Sequence, residues 1–251
     1  MLRALAAICL LSLPIAVFGG SLRVGPTRID LTARKPVAVL EVQNSADNPT
    51  LAQIDLFDWS QDGKGDVFTP TTDLVATPIV LNLAPGETRV VRVGLRSQNH
   101  TDAEHAYRLF VREIPSAFDG GMGLQFAVRI GVPVFAPPAQ TNPVTVSAPS
   151  ELSWRWVPDI EGCVNVQLSN PTVRHARVLS AEMLSHAGEV LWRSSEPGYV
   201  LAWSRRVLVP SLCPPSIKES VTLRLNLDSG TLELPVLAPS LVVDANTPNT
   251  R

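Results

Sequence analysis

The chain has 251 residues, of which 22 are prolines and 18% are charged, and its formal net charge at pH 7 is −2. This length accommodates one large domain or two of ordinary size. The near-neutral charge and the absence of a Lys/Arg cluster exclude nucleic acid as an expected partner, and runs that favour long amphipathic helices are scarce.

Residues 1–20, MLRALAAICLLSLPIAVFGG, combine one early arginine, an apolar run from Leu5 to Phe18 and small residues at the end. This arrangement predicts a secretory signal peptide that is cleaved after Gly19 or Gly20. The apolar run is too short to span a bilayer comfortably, so an uncleaved membrane anchor is the alternative. We therefore expect no stable membrane insertion of the mature chain.

After this leader, short segments with alternating apolar residues follow one another, with turn residues between them. They are SLRVGPTRIDL (21–31), VAVLEVQN (37–44), TLAQIDLFDW (50–59), TPIVLNL (77–83), TRVVRVGL (88–95), AYRLFVREIP (106–115) and GLQFAVRIGVPVFAPP (123–138). Strands at a spacing of about ten residues predict an all-β domain, an immunoglobulin-like sandwich of about 100 residues.

The last of these segments has one alternating set that is fully apolar. Its members are Leu124, Phe126, Val128, Ile130, Val132 and Val134. Pro133 lies within the run, and because proline cannot donate to a β-ladder, the segment is predicted to be an edge strand. A long apolar edge is a template for pairing with another chain, which proteins usually block. From the residues alone, the charge of Arg129 in this strand is interpreted as such a block.

A second all-β domain is predicted beyond the proline-rich stretch FAPPAQTNPV (135–144), which is typical of a linker. Its strands are CVNVQLSN (163–170), ARVLSAEML (176–184), EVLWR (189–193), YVLAW (199–203), RRVLVP (205–210), ESVTLRLNL (219–227) and TLELPVL (231–237). The predicted domains are therefore residues 21–138, and residues 139–251 with a flexible tail.

Cys163 and Cys213 remain after removal of the leader, and they form neither a CxxC nor a metal-binding pattern. In an oxidising compartment they form a disulfide or stay as two separate buried thiols, because the sequence does not give their geometry. The sequence also lacks a nucleophile elbow, a P-loop and a dinucleotide fingerprint. We therefore expect no catalytic residue, no metal and no cofactor.

Seven short motifs resemble those of the periplasmic pilus-assembly chaperones of the PapD-like family, in the same order and at nearly the same spacing. They are TR (27–28), LAQ (51–53), ATP (76–78), LAPG (83–86), REIP (112–115), LQFAV (124–128) and NPT (170–172). The resemblance covers the first predicted domain almost completely and the second loosely. The VPVF ending of the last strand is similar to the divergent pilus and spore-coat-type chaperones.

This resemblance implies an L-shaped pair of sandwich domains with a cleft between them, in a non-enzymatic chaperone of the periplasm. Its partners would be pilus or fimbrial subunits, which lack their last strand, and an outer-membrane usher that receives them. The chaperone lends its own last strand to the open groove of the subunit. The residues that would enter the groove are Leu124, Phe126, Val128 and Ile130.

The resemblance also implies a basic anchor for the C-terminal carboxylate of the subunit, made in the family by an arginine on the first strand and a lysine on the last. Arg28 matches the arginine, although the residues alone indicate a solvated side chain on the same face as Asp30. Pro133 stands where the family has the lysine. Arg129, four residues earlier, is the predicted substitute.

Two other classes of protein compete with the chaperone hypothesis. A secreted pilin or adhesin should have an exposed apolar N-terminal extension and lack its last strand, and neither feature is present in the predicted strands. An enzyme or a carbohydrate-binding module on a β-sandwich would need a cluster of acids or aromatics, whereas the two tyrosines and five tryptophans are mostly isolated in the sequence.

Overall fold

The computed structural model describes residues 22–97, 102–115, 127–138, 151–158, 164–194, 198–209 and 221–236. The predicted signal peptide, two donor residues (Leu124 and Phe126) and both cysteines (Cys163 and Cys213) lie outside this part of the chain, so they stay predictions. The described residues form eighteen β-strands, and no helix among them is long and apolar enough to cross a membrane.

Ten strands form the first domain. They are β1 (Leu22–Gly25), β2 (Ile29–Asp30), β3 (Val37–Asn44), β4 (Thr50–Gln61), β5 (Asp66–Pro70), β6 (Leu74–Thr77), β7 (Val80–Leu83), β8 (Thr88–Leu95), β9 (His105–Ile114) and β10 (Arg129–Ala136). The first sheet has the order β1-β3-β8-β6, and the second has β2-β10-β9-β4-β5 with β7 also paired to β4. Two sheets packed on one core are the predicted sandwich.

Period-two alternation places the core of this domain between its two sheets. In β3, the residues Ala38, Leu40 and Val42 are buried, whereas Val37 and Val39 are about half exposed. Full burial of a side chain of valine or leucine size contributes roughly 1.5–3 kcal/mol. The pairing register is therefore strongly specified, because a shift by one residue would expose the whole apolar set.

The first predicted segment, SLRVGPTRIDL, is two strands rather than one. β1 pairs with β3 in the first sheet, and β2 pairs in parallel with β10 in the second. The chain changes sheets at Gly25 and Pro26, where proline has no backbone N–H to donate to a ladder. Because of this crossing, β2 is short and covers β10 only at Val134 and Phe135.

β10 is an edge strand over most of its length. It pairs with β9 throughout, and on its other side the described residues supply only the short β2. The N–H of Leu31 donates to the carbonyl of Phe135 at 2.8 Å, so Phe135 and, by alternation, Gly131 and Pro133 direct their backbone groups toward this open side. The missing N–H of Pro133 therefore removes no hydrogen bond from the β9–β10 ladder.

Eight strands form the second domain. They are β11 (Ser153–Pro158), β12 (Val164–Ser169), β13 (Ala176–Leu184), β14 (Val190–Ser194), β15 (Gly198–Val200), β16 (Arg205–Leu208), β17 (Val221–Leu227) and β18 (Gly230–Val236). Its sheets have the orders β11-β12-β16 and β14-β13-β17-β18, with β15 also paired to β13. They enclose a core that includes Met183, Trp192 and Leu223. The predicted strand YVLAW ends early, at Val200, and Trp203 has a positive φ of 53°.

The two domains meet at a small apolar junction cluster. Its members are Trp59, Ala106 and Phe135 from the first domain and Tyr199 and Leu201 from the second. Phe135 also stacks on the ring of His175, with ring centroids 3.8 Å apart. The Gln61 side chain spans the junction, since it donates to the Tyr199 carbonyl (2.8 Å) and accepts from the Leu201 N–H (3.0 Å).

Candidate functional site

The outward face of the second sheet lines a cleft between the domains. Ile29 and Val134 point into the core, so Arg28 and Phe135, their neighbours in the chain, point outward. An open pocket of about 270 Å³ lies there, between this face and the second domain. The charged and ionisable side chains that line the cleft are Arg28, Asp30, Glu104, Arg174, His175 and Asp228.

Arg28 is held in the cleft by two carboxylates, and its side chain is 34% exposed. Its Nε donates to Asp30 at 2.8 Å, and its Nη1 donates to Asp228 of the second domain at 3.2 Å. Partial burial lowers the pKa of Arg28, but Asp30, Tyr199 and Asp228 raise it, and the resulting pKa lies above its ordinary value. Arg28 is therefore a charged side chain that can bind carboxylates, and here it binds those of Asp30 and Asp228.

The wall of the cleft opposite Arg28 is fixed by contacts across the domain junction. The Glu104 carboxylate is 6% exposed, accepts the His175 backbone N–H at 3.0 Å and contacts the His175 ring Nδ1 at 2.5 Å. The Glu104 backbone N–H also donates to the Val173 carbonyl at 2.8 Å. These contacts hold the second domain against the first at the place where Arg28 reaches Asp228.

Arg129 does not lie beside Arg28. The register of β2 on β10 places Arg28 next to Pro133, and Arg129 is four residues earlier on β10, which is about 13 Å at the rise of a β-strand. The Arg129 guanidinium instead lies over the ring of Phe110, 3.7 Å from its centroid. The structure thus places the two predicted anchor arginines at different points of the same face.

An aromatic platform lies beneath Arg129, on the outward face of β9, β4 and β5 and thus on the side of β10 away from its open edge. Phe57, Phe68 and Phe110 contact one another edge to face, with centroid distances of 5.5–6.5 Å. Phe68 remains 38% exposed. A cation over such rings is stabilised by their π-electrons, and the platform adds exposed apolar area beside the strand that was predicted to be lent.

Val128 and Ile130 are the predicted donor residues that the structure describes. Ile130 is half-buried and packs against the core of its own domain. Val128 precedes β10, and its carbonyl accepts a hydrogen bond from the Glu113 N–H at 2.9 Å. The apolar face of β10 therefore continues from the domain's own core toward the end of the β9–β10 pair.

The prediction missed Arg108, which lies on β9 directly opposite Pro133. Its guanidinium is 5.1 Å from the centroid of the Trp59 ring. In the sequence Arg108 is an ordinary polar member of an alternating strand, and its position opposite Pro133 depends on the pairing of β9 with β10. The pairing register, rather than any local motif, is what identifies it.

Residues 21–142 match the family model of the pili and flagellar-assembly chaperone, PapD N-terminal domain. The first domain therefore belongs to the PapD-like chaperone family. PapD-like chaperones are not enzymes, in agreement with the prediction. No curated protein sequence matches the chain significantly.

Solved structures of PapD-like chaperones align with both domains. A chain of the CsuC–CsuE chaperone–tip adhesion subunit pre-assembly complex, from archaic chaperone-usher Csu pili of Acinetobacter baumannii, is 20% identical with a TM-score of 0.64, over 86% of this chain and 98% of that chain. The Pseudomonas aeruginosa CupB2 chaperone is 25% identical with a TM-score of 0.58, over 86% and 100%. A chain of the Salmonella enterica SafA pilin–SafB chaperone complex is 17% identical with a TM-score of 0.60, over 88% and 98%. The predicted fold class is confirmed.

Proposed function

We propose that this chain is a periplasmic chaperone, exported by a cleaved signal peptide, that binds pilus or fimbrial subunits and delivers them to an outer-membrane usher. The observation that carries the proposal is the open side of β10, which β2 covers only at Val134 and Phe135. An exposed strand edge with an apolar face is suited to strand addition, in which main-chain hydrogen bonds give affinity and alternate side chains give specificity.

The donated strand would extend from Leu124 to Ile130. Arg129 and Gly131 direct backbone groups toward the open side, by the alternation that Phe135 establishes. The alternating apolar set Leu124, Phe126, Val128 and Ile130 would supply the side chains that enter the subunit. Burying three or four such side chains in a subunit contributes roughly 5–10 kcal/mol before ordering costs. A subunit that lacks one strand would gain enough to stay folded.

Arg28 would anchor the C-terminal carboxylate of the bound subunit. It already binds two carboxylates, of Asp30 and Asp228, and a planar guanidinium with paired donors fits a carboxylate well. The CsuC–CsuE and SafA–SafB structures are complexes of a chaperone with a pilus subunit, which supports the same class of partner here. Because the first domain fills its own last position with β10, the pilin alternative is disfavoured.

Capture of the subunit tests strand donation. The affinity-tagged chain, purified from the periplasm of its native host, should co-purify with a small β-rich subunit that mass spectrometry identifies. Phe126→Asp should abolish this capture, because a charge cannot enter an apolar groove. Gln125→Asp is the matched control, since the adjacent residue belongs to the opposite alternating set. Normal capture by Phe126→Asp would refute strand donation.

The same assay tests the carboxylate anchor and the delivery step. Arg28→Gln should weaken subunit binding about ten- to hundredfold, the value of charge-assisted hydrogen bonds, whereas Arg92→Gln on the other sheet should not. Both variants should melt like the wild type. In cells without the usher, the chaperone–subunit complex should accumulate, and an unchanged amount would contradict delivery to it.

A further inference from the structure

Three residues form a row across the cleft face of the second sheet. Ile29 pairs with Val134 in parallel, so Arg28 lies beside Pro133 on β10. Pro133 in turn lies opposite Arg108 on β9. Residues in register on adjacent strands point to the same face, and two strand spacings separate the outer Cα atoms by about 10 Å. A proline thus lies between two arginines.

The Arg108 side chain has an unused hydrogen-bond donor. Its Nε is buried and has no hydrogen-bond partner within the part of the chain that the structure describes. Burial lowers the pKa of Arg108, and Asp66 and Tyr199 oppose this effect. A buried charged donor without an acceptor is costly, and an incoming anion would supply what is missing.

Gly131 provides the space in which the Arg108 guanidinium lies. A Cβ atom at position 131 would be 2.9 Å from Arg108 Nε and 2.9 Å from Phe110 Cε1, both closer than Cβ atoms approach other atoms, and 3.1 Å from Arg108 Nη2. The glycine lets the guanidinium lie flat over β10 beside the Trp59 ring. The position of the Arg108 guanidinium therefore depends on the absence of a side chain at Gly131.

Arg28 and Arg108 are also linked through the second domain. Arg28 donates to Asp228 of the second domain at 3.2 Å, and Arg108 lies 5.1 Å from the centroid of Trp59, whose ring contacts Tyr199 of that domain. Tyr199 itself is fixed by its edge-to-face contact with Trp59, at a centroid distance of 5.6 Å. Both guanidinium groups therefore lie next to the second domain, Arg28 through Asp228 and Arg108 through Trp59.

We propose that Arg108 is the second cation of the carboxylate anchor, and that it binds the C-terminal carboxylate of the subunit together with Arg28 across Pro133. This inference rests on the proposed function and changes one residue in it, since Arg129 was the predicted substitute for the family lysine. Arg129 lies farther along β10, over Phe110, where it is placed to contact the body of the subunit rather than its chain end.

The test is the preference for a free carboxylate. Two synthetic peptides copy the C-terminal strand of the subunit identified in the capture experiment, one ending in a carboxylate and one in an amide. Their dissociation constants for the full-length chaperone are measured by tryptophan fluorescence or calorimetry. The wild type should bind the carboxylate form at least about tenfold more tightly. Arg108→Gln should remove most of that preference, and Arg129→Gln, which removes the same charge, should keep it.

Gly131→Ala provides a second variant that keeps Arg108 but displaces its guanidinium together with the Phe110 ring, and it should lower the preference in the same direction. If Arg108→Gln and Gly131→Ala both keep the wild-type preference while Arg28→Gln loses it, the inference is wrong and the anchor at Arg28 stands. Loss of the preference in Arg129→Gln alone would assign the second cation to Arg129 instead. A wild type without any preference would refute the carboxylate anchor of the proposed function itself.

Discussion

Replacement of Phe135 by alanine tests whether the junction cluster holds the two domains in their relative position. Phe135 is 1% exposed and lies 6.0 Å from Trp59 and 5.3 Å from Tyr199, measured between ring centroids. It packs in the junction cluster and not in the core of either sandwich. Its removal should therefore weaken the junction and leave both cores intact.

The magnitude follows from the size of the buried ring. Truncation of a buried phenylalanine to alanine costs about 3–5 kcal/mol. The two hydrogen bonds of Gln61 across the junction contribute a net of about 0.5–1.5 kcal/mol each. The partly exposed Arg28–Asp228 pair adds about 0–1 kcal/mol. Because none of these polar contacts replaces the lost apolar area, the domains should uncouple.

Differential scanning calorimetry measures this uncoupling. We expect the wild type to unfold in one coupled transition and Phe135→Ala to show two, with the less stable domain melting earlier. Phe110→Ala is the matched control, because Phe110 lies on the same face of the same sheet but contacts Phe57 and Phe68 instead of the second domain. One transition at the wild-type midpoint in Phe135→Ala, or an equal split in Phe110→Ala, would refute the reasoning.

Three further substitutions have defined outcomes. Asp228→Asn removes a carboxylate that competes with the peptide for Arg28. The carboxylate peptide should therefore bind a few-fold more tightly than to the wild type, and the amide peptide as tightly as before. Unchanged binding of both peptides contradicts this. A backbone hydrogen bond and Arg89 lower the pKa of the Glu87 carboxyl in the folded protein. The ionised carboxylate therefore stabilises the fold fully above the unfolded pKa of about 4.3, and this contribution is lost as the pH falls through the folded value. The melting-temperature deficit of Glu87→Gln should shrink on acidification, and a constant deficit argues against it. Asn170→Ala removes the three hydrogen bonds that its side-chain amide donates to backbone carbonyls, so urea unfolding should show a loss of about 2–3 kcal/mol in the second domain. A loss under about 0.5 kcal/mol is the contrary result.

Much of the fold could be predicted because alternation and turns are local. Segments such as VAVLEVQN became β3 with the predicted bounds, since one face is entirely apolar. β5 and β6 were not predicted, because the first is exposed throughout and the second is too short for its alternation to be distinctive. In β5, DVFTP, every residue is exposed, and β6 has only four residues. Such strands form because a neighbouring strand offers hydrogen bonds, and the sequence of the segment does not reveal that.

The candidate site was predictable only where it depended on a single strand. Arg28 was recognised from its motif, and the structure places it in the cleft. The choice of Arg129 rested on the assumption that the second cation belongs to the same strand as the missing lysine. Arg108 replaces it in the inference because the neighbouring strand presents an arginine opposite Pro133. Cross-strand register is a tertiary property, and residue spacing along one strand does not encode it.

Pro133 has a consequence for any strand that is added to the open side of β10. An arriving strand can accept from the N–H groups of Arg129 and Gly131, but at Pro133 no donor exists and at Phe135 the carbonyl is already bound to Leu31. The last N–H that an added strand can use is therefore that of Gly131, two residues before the row of arginines at Pro133. The backbone of β10 thus limits the length of the added strand, because it sets the residue at which the partner's chain must leave the sheet, whatever side chains that partner has.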